Sequence, residues 1–203
     1  MKRILRLFLI GCIGTITLSC TSNNSENQTI EQDIIISNML TRTSIRQYTD
    51  QAVEQGKIDT LLRAGMSAPS AGNKQPWRFI VIQDKNIISA IADSANKKPA
   101  QTAPLLIAIC GDSNDTFPED GFDYWVEDCS AVTENMLLAA HAMGLGGCWL
   151  GFYPRKDGVA ILRSILNIPN YIIPLGVISV GYPDESPAPK DKWDEKKIHY
   201  NRW

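Results

Sequence analysis

Apolar residues recur along the chain at two spacings, and their alternation predicts helices and strands in layers. Ile30, Ile34, Ile35, Met39 and Leu40 fall at helical spacing, so 30–40 reads as a helix. Ile58, Leu61, Leu62 and Met66 repeat the pattern over 54–66, and Pro69 bars further extension. Trp77 to Ile82 is dense in β-formers and predicts a strand. Residues 85–95 are helical by Ile87, Ile88, Ile91 and Ala95. Leu105 to Cys110 is an unbroken apolar run, which suits a strand buried on both faces. Over 122–143 the residues Val126, Cys129, Val132, Thr133, Met136, Leu137 and Ala140 make the wide apolar stripe of a central helix. Cys148 to Phe152 predicts a short strand, 157–166 a helix, and Tyr171 to Val180 another strand. From Pro183 the periodicity stops, yet Trp193, Tyr200 and Trp203 give the polar tail bulky anchors, so it is expected to dock on something. The class is α+β or α/β around one sheet, with 30–203 as a single domain.

The front end carries a different pattern. Met1 to Arg6 is short and basic, Leu7 to Leu18 is almost wholly apolar, and residues 21–29 turn abruptly polar. This is the layout of a secretory signal, and the apolar run is short of the ~20 residues that cross a bilayer. Leu18-Ser19-Cys20 resembles the end of a bacterial lipobox, although Thr17 stands where such boxes usually have Leu. The expectation is a signal over 1–19, a lipid on Cys20, a flexible tether over 20–29, and a domain held on an extracytoplasmic membrane face.

Composition then narrows the chemistry. The 203 residues hold 20 Lys+Arg against 22 Asp+Glu, a formal charge of −2. Losing the signal removes three cations and no acid, leaving −5. Nothing here is a basic footprint for nucleic acid. With only His141 and His199, and no C-x-x-C, no zinc motif stands out. Cys110, Cys129 and Cys148 read as buried small hydrophobes, with one bridge left open.

Three clusters carry candidate chemistry. Arg42-Thr43-Ser44-Ile45-Arg46 sets two guanidiniums around a hydroxyl, which is either a solvated basic turn or a phosphate grip. Lys190 and Lys192 in the tail are a second cationic pair. Ala68 to Phe79 packs Pro69, Ser70, Gly72, Asn73 and Gln75 into a helix-to-strand turn where backbone and amides can approach a flat heterocycle. Gly144 to Gly151 enters a strand; it is not a dinucleotide fingerprint, because Trp149 breaks the spacing and no helix follows directly. Gly144 suits a helix C-cap, and the other glycines would let backbone N–H groups face a ligand. No Ser-His-Asp, Walker or G-x-S-x-G arrangement is present, so a bound cofactor would have to carry the reaction.

In this order the clusters resemble the nitroreductase family of FMN-dependent oxidoreductases. The carrying segments are Arg42 to Tyr48, Ala68 to Phe79 and Gly144 to Phe152, with Gly181-Tyr182-Pro183 and Lys190-Asp191-Lys192 behind them. The resemblance implies an α+β fold, a central mainly antiparallel sheet flanked by helices, and a homodimer with FMN at its interface. It implies Arg42 and Ser44 at the FMN phosphate and ribityl chain, Arg46 at the N1/O2 edge, and Lys190 and Lys192 closing on the phosphate. Pro69, Ser70 and Asn73 would come from the partner subunit, while Trp149, Leu150 and Gly151 would line the ring near N5, mostly through backbone. The tail would wrap the neighbouring subunit. The implied activity is ping-pong hydride transfer through flavin N5, from NAD(P)H or another reductant to a small aromatic acceptor such as a nitro compound or quinone. Dehalogenation or flavin fragmentation on the same fold, and a non-enzymatic lipid-anchored flavin binder, are the alternatives. Ala71 departs from the family pattern, where a second Ser is common.

Overall fold

The computed structural model describes residues 22–94 and 96–203. The proposed signal and Cys20 lie outside the described residues. The chain forms two compact units, Met1–Ile36 and Ser37–Trp203. Helix α1 is Ser22–Thr41, so it begins well before residue 30 and takes in residues 22–29, read from sequence as a tether. That stretch holds neither Gly nor Pro to stop a helix. Ile34, Ile35, Met39 and Leu40, the apolar positions that predicted the helix, are all exposed.

The second unit is a four-stranded antiparallel sheet between two helical layers. The elements are α2 Gln55–Met66, β1 Trp77–Ile82, α3 Lys85–Ser94, α4 Lys98–Gln101, β2 Leu105–Asp112, α5 Tyr124–Ala142, β3 Gly146–Gly151, α6 Lys156–Leu166 and β4 Ile172–Gly181. Strand order is β1-β2-β4-β3, so β1 and β3 are the two edges. Strand β2 is buried at every position, as its unbroken apolar run requires. Leu105, Ile107 and Ile109 pack with Ile58 and Leu61 of α2 and with Trp125, Cys129, Val132 and Met136 of α5. Leu106 and Ala108 face the other layer, with Ile88 and Ile91 of α3, Leu162 of α6, and Cys148 and Leu150 of β3. The sheet is thus an α+β sandwich with a separate apolar core on each face.

Two details differ from the periodicity. The register between β2 and β4 slips at Ile109/Cys110, where Ile109 faces Gly176 but Cys110 faces Pro174. Pro174 has no N–H to give, and the slipped-out Leu175 instead offers its carbonyl to the N–H groups of Phe152 and Tyr153 at 3.2 and 2.9 Å. Strand β3 starts at Gly146 rather than Cys148, because the glycines themselves pair with β4.

Cys110, Cys129 and Cys148 are free and buried, and the Cys129 thiol points at the Cys110 carbonyl at 3.5 Å. Burial pushes the Cys110 thiol up to about 12 and raises Cys129 further. The unfolded chain sheds these protons from about pH 9, while the folded chain keeps them. These weakened thiol acidities therefore contribute stability below about pH 9 that is lost as pH climbs toward the folded values. The urea midpoint should be level from about pH 7 to 8.5 and fall steadily above pH 9; a flat profile to pH 11 would contradict the burial.

Candidate functional site

The site is assembled on the free edge of β3 by the segment that follows α1. Arg42 is fixed because the end of α1 docks on one stripe of α5. Asn38 donates to the Leu138 carbonyl at 3.1 Å, Thr41 meets His141 Nε2 at 3.1 Å, and Arg42 Nε pairs with Glu134 at 3.4 Å. Residues 134, 138 and 141 share one helical face, so these contacts act as one clamp. His141, the histidine of that apolar helix, is therefore a docking group.

Beyond Arg42 the chain turns along β3. Ser44 forms a parallel bridge with Gly147, and the Ile45 N–H donates to the Gly147 carbonyl at 3.1 Å. Ile45 then covers Gly146: a Cβ placed there would lie 2.6–2.7 Å from three Ile45 carbons. One at Gly147 would lie 2.8 Å from Leu137 on the opposite face. These two glycines serve close packing, not ligand approach. Buried Tyr48 locks the segment, donating to the Ile45 carbonyl at 2.5 Å and meeting the Ser179 hydroxyl at 2.8 Å. Burial raises the phenol above its usual value, with the Ser179 contact opposing.

The tail is clasped to the same segment. Tyr48 bridges Pro183, Thr49 N–H donates to the Tyr182 carbonyl at 2.9 Å, and Asp184 N–H donates to the Gln47 carbonyl at 3.0 Å. Glu185 accepts from the backbone N–H groups of both Arg46 and Gln47. From this clasp the tail carries Lys190 and Lys192 into a groove of about 560 Å³ shared with Arg42, Glu134, Asp191 and Trp193. Cations far apart in sequence thus converge. Outside that groove, Lys97, just before α4, lies over the Phe152 ring at 5.2 Å. Burial raises the Cys148 thiol; Arg46, Arg42 and Lys97 oppose that rise, while Glu185 adds to it.

Strand alternation decides which backbone groups of β3 face outward. The Gly147 carbonyl points to the free edge, whereas the Phe152 N–H points to β4. Trp149 and Gly151 therefore present N–H and C=O groups outward, while Leu150 turns its backbone to β4 and its side chain into the core at 5% exposure. Among the three residues assigned to the ring, Leu150 is the one the structure turns away, because a strand alternates. Open space surrounds Gly151, where an added Cβ would meet nothing within 4 Å.

The loop bearing Pro69, Ser70 and Asn73 lies elsewhere in the same chain. It leads into Trp77, on the opposite edge strand and level with Gly111, while Gly147 is level with Val180 and so with Leu105. Three strand spacings and six residues of rise separate Trp77, at the foot of the loop, from Gly147 by about 24 Å. Its shape is set by positive φ at Gly72, Asn73 and Gln75, and by Asp128 of α5, whose carboxylate accepts the Ala71 N–H at 2.8 Å. Gln75 gives its amide to Asn73 Oδ1 at 2.8 Å, so the two amides are partners here. Arg78 braces the loop's base through Asp112 at 3.0 Å and Asp115. Glu134 and Glu185 were not legible as site residues; each is a lone polar residue that only the fold brings to the Arg42–Gln47 segment.

The family model described as Nitroreductase family matches residues 39–102 and 95–182. A candidate NADH dehydrogenase/NAD(P)H nitroreductase of Methanothermobacter thermautotrophicus is 40% identical over 165 residues, covering 80% of this chain and 84% of that protein. A crystal structure under the same description from Bacteroides thetaiotaomicron is 43% identical with a TM-score of 0.79, covering 84% and 98% of the two chains. An FMN-dependent nitroreductase of Clostridium difficile is 31% identical with a TM-score of 0.76, covering 83% and 99%. With its sheet and edge segment inside the matched span, the chain belongs to the nitroreductase family.

Proposed function

We propose that the protein is an FMN-dependent oxidoreductase that works as a homodimer, taking electrons from NAD(P)H and passing them to a small aromatic acceptor such as a nitro compound or quinone. The observation that carries this reading is the groove where Arg42, Lys190 and Lys192 meet. The donor set fits FMN: three cations suit a phosphate that carries nearly two negative charges, and forked Arg42 suits its oxygens. The outward N–H groups of Trp149 and Gly151 suit the polar edge of a flat ring, and Gly151 leaves that ring room.

Bound FMN supplies the acceptance and release of a hydride, chemistry that no side chain here provides. The chain's own residues bind and orient. Arg42, Lys190 and Lys192 hold the phosphate, with Ser44 beside them. Arg46 would supply positive charge beside the bound group, which would stabilise negative charge added to it. Trp149 and Gly151 fix the ring edge through backbone. Pro69, Ser70 and Asn73, which lead into the opposite edge strand of the same sheet, would reach the same ring from a second copy. Exposed Met39, Leu40, Trp193, Tyr200 and Trp203 give that copy an apolar surface to cover.

The test is direct. Purified protein given FMN should emerge yellow and dimeric, bleach anaerobically with NADH or NADPH, and recolour with a nitroaromatic or quinone. A colourless monomer overturns the reading; flavin that is held but bleached by neither nucleotide overturns the donor. Export and lipid attachment at Cys20 belong to the same proposal: cells fed labelled palmitate should label the wild type and not Cys20→Ala.

A further inference from the structure

A groove meant for a phosphate has no evident use for a carboxylate, yet Glu134 lies in it. Its Oε1 stands 3.4 Å from Arg42 Nε, and it lines the groove together with Lys190 and Lys192. Arg42 is mostly covered, with 16% of its side chain exposed, while Glu134 is half open at 49%. The guanidinium is therefore held in place and the carboxylate is the partner free to move. Asp191 adds a second negative charge to the lining, so three cations face two anions.

We infer that Glu134 is an internal competitor for Arg42, a residue that sets how tightly and how selectively the groove keeps a phosphate monoester. This rests on the FMN reading above. In the free groove Glu134 neutralises Arg42. A half-exposed ion pair of this kind is weak, so an anion of higher charge and better fit displaces it, whereas a singly charged anion gains little by doing so. The carboxylate also stands close to the incoming phosphate and repels it. Retention is thereby set below what Arg42, Lys190 and Lys192 would give alone, and bound FMN exchanges more readily.

Flavin fluorescence titrations of the full domain with FMN and with riboflavin, which lacks the phosphate, test this. Glu134→Gln keeps the shape and the acceptor oxygen while removing the charge. It should bind FMN about threefold to tenfold more tightly, with riboflavin affinity unchanged. In an Arg42→Ala background the gain should shrink, because the contested group is gone. FMN affinity that is unchanged or weaker in Glu134→Gln would overturn the inference and make Glu134 a support for Arg42. Equal changes for FMN and riboflavin would overturn it as well, as would a gain that survives intact without Arg42. Wild-type protein that binds no FMN sinks the reading of the site itself, which is a different result from any of these.

Discussion

Arg42→Ala should lose FMN readily while keeping its fold. A multiply charged phosphate would lose its forked donor, which is worth on the order of 2–4 kcal/mol, or about 30-fold to several hundred-fold in affinity. Two features make this residue matter more than either lysine. Its side chain is mostly covered, so little side-chain freedom is lost when it binds. Lys190 and Lys192 sit on an exposed tail and contribute as point charges. Riboflavin affinity should hardly change, since the phosphate alone is affected. Equilibrium dialysis at fixed salt measures both, and equal retention of FMN by wild type and variant would show that the phosphate lies elsewhere.

Gly146→Val should damage both stability and site in one change. The added Cβ would sit 2.6–2.7 Å from Ile45 Cβ, Cγ1 and Cγ2, a contact that real side chains do not tolerate. Ile45 is a branched residue held near its backbone by the Gly147 bond and by Tyr48, so it has no easy way aside. Overpacking of this kind costs about 1–3 kcal/mol. The segment would lift from β3 and take Ser44 and Arg46 with it, so FMN and riboflavin should both weaken. That joint loss separates it from Arg42→Ala. A variant with unchanged urea midpoint and unchanged flavin binding would refute the packing role.

The contrast between these two variants shows where sequence reasoning reached and where it stopped. Arg42 was visible because R-x-S-x-R is a chemical pattern, readable without a fold. Gly146 was visible only as one glycine in a run; its need for a bare Cα depends on Ile45, which lies about a hundred residues earlier in the chain. Leu150 was assigned by its place in a motif, and strand alternation with pairing to β4 turned it inward. Glu134 sat unmarked on an amphipathic helix until α1 docked there and put Arg42 beside it. The tail was expected to dock. Its first residues do, through Glu185 and the bridge to Tyr48, while Trp193, Tyr200 and Trp203 stay exposed.

Local order was the sequence's own to determine. Apolar periodicity placed every strand and the long helices, because burial on one face or two imposes a spacing on any chain. The chemistry of the cations and the glycine runs was written there too. Which strands are edges, which face each motif takes, and which distant charges meet were decided only in three dimensions. Those depend on how layers close over the sheet, and a pairing across a hundred residues leaves no mark on either neighbourhood. The separation of the Arg42–Arg46 segment and the loop leading into Trp77 to opposite edges of the sheet is of that kind.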